Sequence, residues 1–140
     1  MYEPIRTKSV HSMAARVDDL PHRSRQEELT IRLAGHLTAL LTVTDELRAL
    51  TPDPALDQAA QRLADQVTRI RGGHRPLRAT PTASQDDTRL PERVTQLHQR
   101  AHSLAGNALV VAVSCDDTAG AELAAARLAV HAAALGIPAE

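Results

Sequence analysis

Apolar residues recur at alternating steps of three and four along residues 91–115, and this spacing constrains the fold more than any other feature of the chain. The series consists of Val94, Leu97, Ala101, Leu104, Ala108, Val111 and Cys115. Such a spacing gathers apolar side chains on one side of an α-helix, and an isolated helix cannot bury that side. The pattern therefore predicts a helix over 91–115 that packs against other helices.

Two more helices are predicted upstream, over 24–50 and 53–71. Ser24 and Glu27 have the spacing of a capping box at the start of the first, and an Asp-Pro pair opens the second. The apolar positions of the two helices are Leu29, Leu33, Leu37, Leu40, Leu41, Val43, Leu47 and Leu50, then Leu56, Ala60, Leu63, Val67 and Ile70. Because the connection is so short, the two helices should form an antiparallel hairpin.

A fourth helix is predicted over 118–135, with an apolar side formed by Leu123, Ala126, Val130 and Ala133. It follows the 91–115 helix closely, so these two should form a second hairpin. The fold class is therefore all-α, a four-helix bundle of two hairpins. In a simple up-and-down bundle the first and third helices run parallel. Gly106, inside a helix, predicts a close crossing with the alanine-rich fourth helix.

The remaining segments are an N-terminal arm and a long polar connection. Residues 1–23 form the arm, in which the spacing of Val10, Met13, Val17 and Leu20 predicts a short helix over about 10–20. Residues 24–140 form a single domain, with a mobile loop at 72–88. Arginines concentrate in the segment 69–93, and those nominated for contact with a partner are Arg69, Arg71, Arg75 and Arg78.

Composition excludes several classes of function. The formal net charge is -1, which demands neither nucleic acid nor an anionic membrane as partner. Tyr2 is the only aromatic residue, so base-stacking surfaces cannot be built. No secretory signal pattern or spanning apolar run occurs, and we expect a cytoplasmic protein. Fifteen arginines against one lysine are typical of a high-GC bacterium.

Histidines provide the one candidate metal or ligand site. His98 and His102 are four residues apart on the third predicted helix, a spacing that can chelate a divalent metal. His36 lies in the apolar series of the first helix, and counting along the helices places His131 at a similar height. The hypothesis is that His36, His98, His102 and His131 converge.

No motif in the chain names a substrate or cofactor, and we expect a non-enzymatic protein. The leading hypothesis is a helical bundle that acts through protein–protein contact in an accessory or regulatory role, with a second copy of the chain as one candidate partner. The first alternative is a metal- or small-ligand-binding bundle that uses the four histidines. The second is a DNA-associated regulator that uses the arginine-rich 69–93 segment, although the near-neutral charge makes nucleic acid a poor candidate.

Overall fold

The computed structural model describes residues 24–81 and 88–138 of the 140-residue chain. These residues form four helices, α1 (Arg25–Leu50), α2 (Pro54–Ile70), α3 (Leu90–Ser114) and α4 (Thr118–Ala134). All four predicted helices are confirmed, with ends within one residue of the predicted positions. The short helix predicted over 10–20 lies outside the described residues.

Local sequence explains where the helices begin and end. The capping box of α1 forms as predicted, because the Ser24 hydroxyl accepts from the Glu27 N–H and the Glu27 carboxylate accepts from the Ser24 N–H. Asp53 caps α2 by accepting from the backbone N–H two residues on. Asp117 caps α4 through the Gly120 N–H at 2.8 Å.

The core is centred on α1, which packs against both α2 and α3. Its leucines at positions 33, 37, 40 and 47 are completely buried. They meet the buried side of α2 and a row of small residues on α3, whose alanines 101, 105 and 108 are also completely buried. Alanines let α3 approach α1 closely, so the large leucines of one helix fill the space that the other leaves open. The fourth helix packs on α3 and touches α2 only weakly.

The chain order around the bundle differs from a simple up-and-down arrangement. The Gln26 side-chain amide, at the start of α1, donates to the carbonyl of Cys115, at the end of α3, at 2.7 Å. Because α1 and α3 also pack against each other, they run antiparallel. The four-helix bundle therefore does not have the simple up-and-down topology in which these two helices would be parallel. The connection after α2 therefore has to climb back along the bundle before α3 begins, which explains its length.

One ion pair anchors this connection to α1, and another links α2 to α4, which otherwise pack weakly against each other. Arg78 of the connection donates to both carboxylate oxygens of Asp45 on α1, at 3.0 and 2.7 Å. Arg69, near the end of α2, contacts both oxygens of Asp117 at 2.9 Å. The second pair ties α2 to the start of α4, where the two helices share few other contacts.

The buried side of α4 is not the side that its apolar residues predict. The buried positions are Gly120, Ala124, Arg127 and His131, whereas Val130 is 47% exposed. Three of the four buried positions lie one residue after predicted apolar positions. Hydrophobicity did not identify them, because two of the four buried residues, Arg127 and His131, are polar.

Two further sequence features have a structural outcome. A Cβ added at Gly106 would lie 3.8 Å from Leu128 Cδ1, an ordinary contact distance. A methyl group fits there, so the close crossing predicted at this glycine is wrong. None of the helices in the described part of the chain is long and apolar enough to span a membrane.

Candidate functional site

A histidine pair joins α3 to α4. The Nδ1 atoms of His98 and His131 are 2.9 Å apart, and the ring centroids are separated by 5.2 Å at a tilt of 51°. His131 has no solvent-exposed surface, whereas His98 is partly exposed. Packing of α3 on α4 brings the two rings together, since each lies on the side of its helix that faces the other.

Arg127 extends this pair into a cluster of three polar side chains. It lies four residues before His131, so the two project from the same side of α4. Its Nη2 is 3.3 Å from His131 Nε2. Arg127 is only 7% exposed, and its Nε is buried without a hydrogen-bond partner. Among the described residues no carboxylate forms an ion pair with it.

The chemistry of arginine sets the tautomers of the two rings. A guanidinium only donates hydrogen bonds, so His131 Nε2 accepts from Arg127 and the proton of neutral His131 is on Nδ1. That Nδ1–H then donates to His98 Nδ1, which leaves the proton of His98 on Nε2. The cluster is a directed chain of hydrogen bonds from Arg127 through His131 to His98.

Both histidines are held neutral at pH 7. Burial lowers the pKa of His131 to about 3, and the charges of Arg127, His98 and His102 lower it in the same direction. Burial and the charge of Arg127 also lower the pKa of His98. The cluster therefore carries one positive charge near neutral pH, on Arg127.

The structure brings only part of the predicted histidine set together. His98 and His131 meet, and His102 lies near enough for its charge to act on His131. His36, expected in the core, is only partly buried, and no ring contact joins it to the other three. In residues 24–81 and 88–138 no group of three or more His, Cys, Asp or Glu side chains could hold a metal ion. This finding argues against the four-histidine metal hypothesis.

The four nominated arginines divide into two kinds. Arg69 and Arg78 are engaged in the ion pairs with Asp117 and Asp45. Arg71 borders an apolar groove on α1, and Arg75 borders a polar groove on α2. Half of the nominated positive charge is thus already neutralised within the chain, which weakens the case for a nucleic-acid surface.

A second feature, the α3–α4 groove, lies between the end of α3 and the start of α4. Its volume is about 420 Å³, and it is lined by Leu109, Ala112, Val113, Asp116, Asp117, Thr118, Ala121, Glu122 and Ala125. Val113 is 62% exposed, and its neighbour Val110 is 66% exposed. Asp116 and Glu122 are exposed at the rim, and neither forms an ion pair with a described residue. The groove therefore combines an apolar floor with a negative edge.

Comparisons with known proteins found no match. No family model matches the chain, and no curated protein or solved structure is significantly similar to it. The physical features of the two sites must therefore carry any functional argument.

Sequence reasoning missed Arg127 entirely. A signal was present, because Gly120, Ala124, Arg127 and His131 themselves follow steps of four, three and four. An arginine and a histidine on one face of a helix predict that this face is exposed to solvent. The packing of α4 on α3 shows that the face is buried.

Proposed function

We propose that the protein is a non-enzymatic helical bundle that acts by binding another protein through the α3–α4 groove. The observation that carries this proposal is the exposure of Val113, which lines an apolar groove and is 62% exposed. Val110, about one helical turn before it on α3, is 66% exposed. Scattered exposed apolar residues are normal, but an apolar groove with a polar rim is typical of an interaction site.

The negative rim specifies the chemistry of the partner. Asp116 and Glu122 are exposed, and neither forms an ion pair with a described residue. A partner helix with an apolar stripe flanked by lysine or arginine would fill the groove and neutralise this rim. Two copies placed groove against groove would instead oppose carboxylates to carboxylates, so charge disfavours that form of homodimer.

A peptide-binding assay with the full chain tests the proposal. The probe is a synthetic amphipathic helix with a leucine stripe flanked by lysines, and its control has the same leucines flanked by glutamates. The lysine peptide should bind more tightly than the glutamate peptide. Val113→Glu should weaken its binding at least about tenfold, because it puts a charge into the apolar floor. Glu122→Lys should weaken it and reduce its salt dependence.

Ile31→Glu is the matched control variant. Ile31 is 50% exposed, but it borders the groove on α1 that is edged by Arg71. The Ile31→Glu variant should bind the lysine peptide as tightly as wild type. Equal binding of both peptides, or equal binding to wild type and Val113→Glu, would overturn the proposal. Self-association of the full chain that Val113→Glu abolishes would also overturn it, with a second copy as the true occupant.

A further inference from the structure

Arg127 is a buried positive charge without a negative partner in the described part of the chain. Arg127 is only 7% exposed, its Nε has no hydrogen-bond partner, and its one polar contact among the described residues is a neutral imidazole. Arginine does not lose its proton at any physiological pH. Burial of an uncompensated charge is costly, and buried arginines are ordinarily paired with an anion. A bound anion would supply the negative partner that the described residues do not.

The surroundings of Arg127 favour a small anionic group over a metal ion. The cluster already holds a positive charge, and the described residues place no carboxylate or thiolate beside it to attract a cation. His131 positions the guanidinium through Nε2, and His98 holds the His131 ring in turn. We propose that Arg127, positioned by the His98–His131 pair, binds an oxyanion of the phosphate or carboxylate class.

Proton uptake should accompany this binding. The charges that act on His131 are those of Arg127 on α4 and of His98 and His102 on α3. No charged group of α1 or α2 among the described residues contributes. Burial is the main cause that keeps both imidazoles neutral, and the charge of Arg127 adds to it. An anion on Arg127 would offset that charge, so it would favour their protonation. By linkage, acidification should then strengthen binding of the anion.

The test measures thermal unfolding of the full chain in a phosphate-free, carboxylate-free buffer. Inorganic phosphate and acetate are added in separate arms, with chloride at matched ionic strength as the reference. A ligand that binds the folded state raises the unfolding temperature in proportion to the logarithm of its concentration above Kd. We expect a rise beyond that of chloride in at least one arm, larger at pH 6 than at pH 7.5. A rise with phosphate alone, or with acetate alone, assigns the class of oxyanion.

Arg127→Met separates a binding arginine from a structural one. The variant should lose the anion-dependent rise and should unfold at a higher temperature than wild type without anion, because a buried lone charge is removed. Arg100→Met, at an exposed position of α3, should behave like wild type. No rise with either anion, or a rise that persists in Arg127→Met, would overturn the proposal.

A second readout does not depend on the folding of any variant. Imidazole NMR of the wild type should show His98 protonated on Nε2 and His131 on Nδ1, and the effective anion should shift both sets of ring signals. The His74 signals, from an exposed ring in the connection after α2, should stay in place. Unchanged His98 and His131 signals at saturating phosphate and acetate would equally overturn the proposal.

Discussion

Replacement of His131 by glutamine tests the electrostatics of the buried cluster through the pH dependence of stability. Burial, with Arg127, His98 and His102, lowers the pKa of His131 from an ordinary 6.5 to about 3. Between these values the unfolded chain binds a proton that the folded chain does not. The folded protein should therefore be fully stable above about pH 6.5 and lose stability as the pH falls toward 3.

The size of this loss follows from the pKa difference. Each unit is worth about 1.4 kcal/mol, and titration of the unfolded histidine begins just below neutral pH. Between about pH 7 and pH 5 the free energy of unfolding should fall by about 2 kcal/mol on account of His131 alone. The lowered pKa of His98 adds a loss of the same sign.

Glutamine is the informative replacement because its side-chain oxygen can still accept from Arg127, whereas the amide does not titrate. Urea unfolding at pH 7 and pH 5 in a phosphate-free buffer measures the difference. His131→Gln should lose about 2 kcal/mol less than wild type over this interval. His74→Gln, at an exposed position, should keep the wild-type dependence. The same pH dependence in wild type and His131→Gln would refute the reasoning.

Three further substitutions test the packing, all by chemical unfolding at pH 7. Arg78→Met removes two hydrogen bonds to Asp45, but the Arg78 side chain is 36% exposed, so the free energy of unfolding should fall by about 1–2 kcal/mol. The control Arg75→Met should lower it by less than about 0.5 kcal/mol. Equal losses in the two variants would show that Arg78 does not anchor the connection. Leu63→Ala, at a completely buried position of α2, should cost about 2–5 kcal/mol, and a loss under about 1 kcal/mol would contradict the described core. Gly106→Ala should stabilise by about 0.5–1 kcal/mol, since a methyl fits there, and destabilisation would show that the helices approach more closely.

The helices were predictable because their signals are local. Ser24 and Glu27 form the capping box that their spacing indicates, and the leucines of α1 are buried where the spacing of three and four places them. The path of the chain between the hairpins was not predictable. It depends on contacts between residues distant in sequence, such as Arg78 with Asp45 and Gln26 with Cys115, and no local pattern encodes them.

The candidate site was predictable only in part. The sequence suggested the hypothesis that four helical histidines converge, and two of them, His98 and His131, do meet. The expected burial was wrong, because His36 is partly exposed whereas His131 is completely buried. Arg127 was missed because hydrophobic patterning assigns an arginine to the solvent side. Its burial is a tertiary effect, which depends on the side of α4 that packs on α3.

The most direct test of the proposed function is to map the peptide-contact surface on the full chain. Isotope-labelled protein is titrated with the lysine-flanked amphipathic peptide, and backbone amide shifts are followed by NMR. We predict that the perturbed amides cluster at the α3–α4 groove, from Leu109 to Val113 and from Asp116 to Ala125. Perturbations centred on Ile31 and Arg71, or no saturable perturbation, would contradict the claim that this groove is the protein-binding surface.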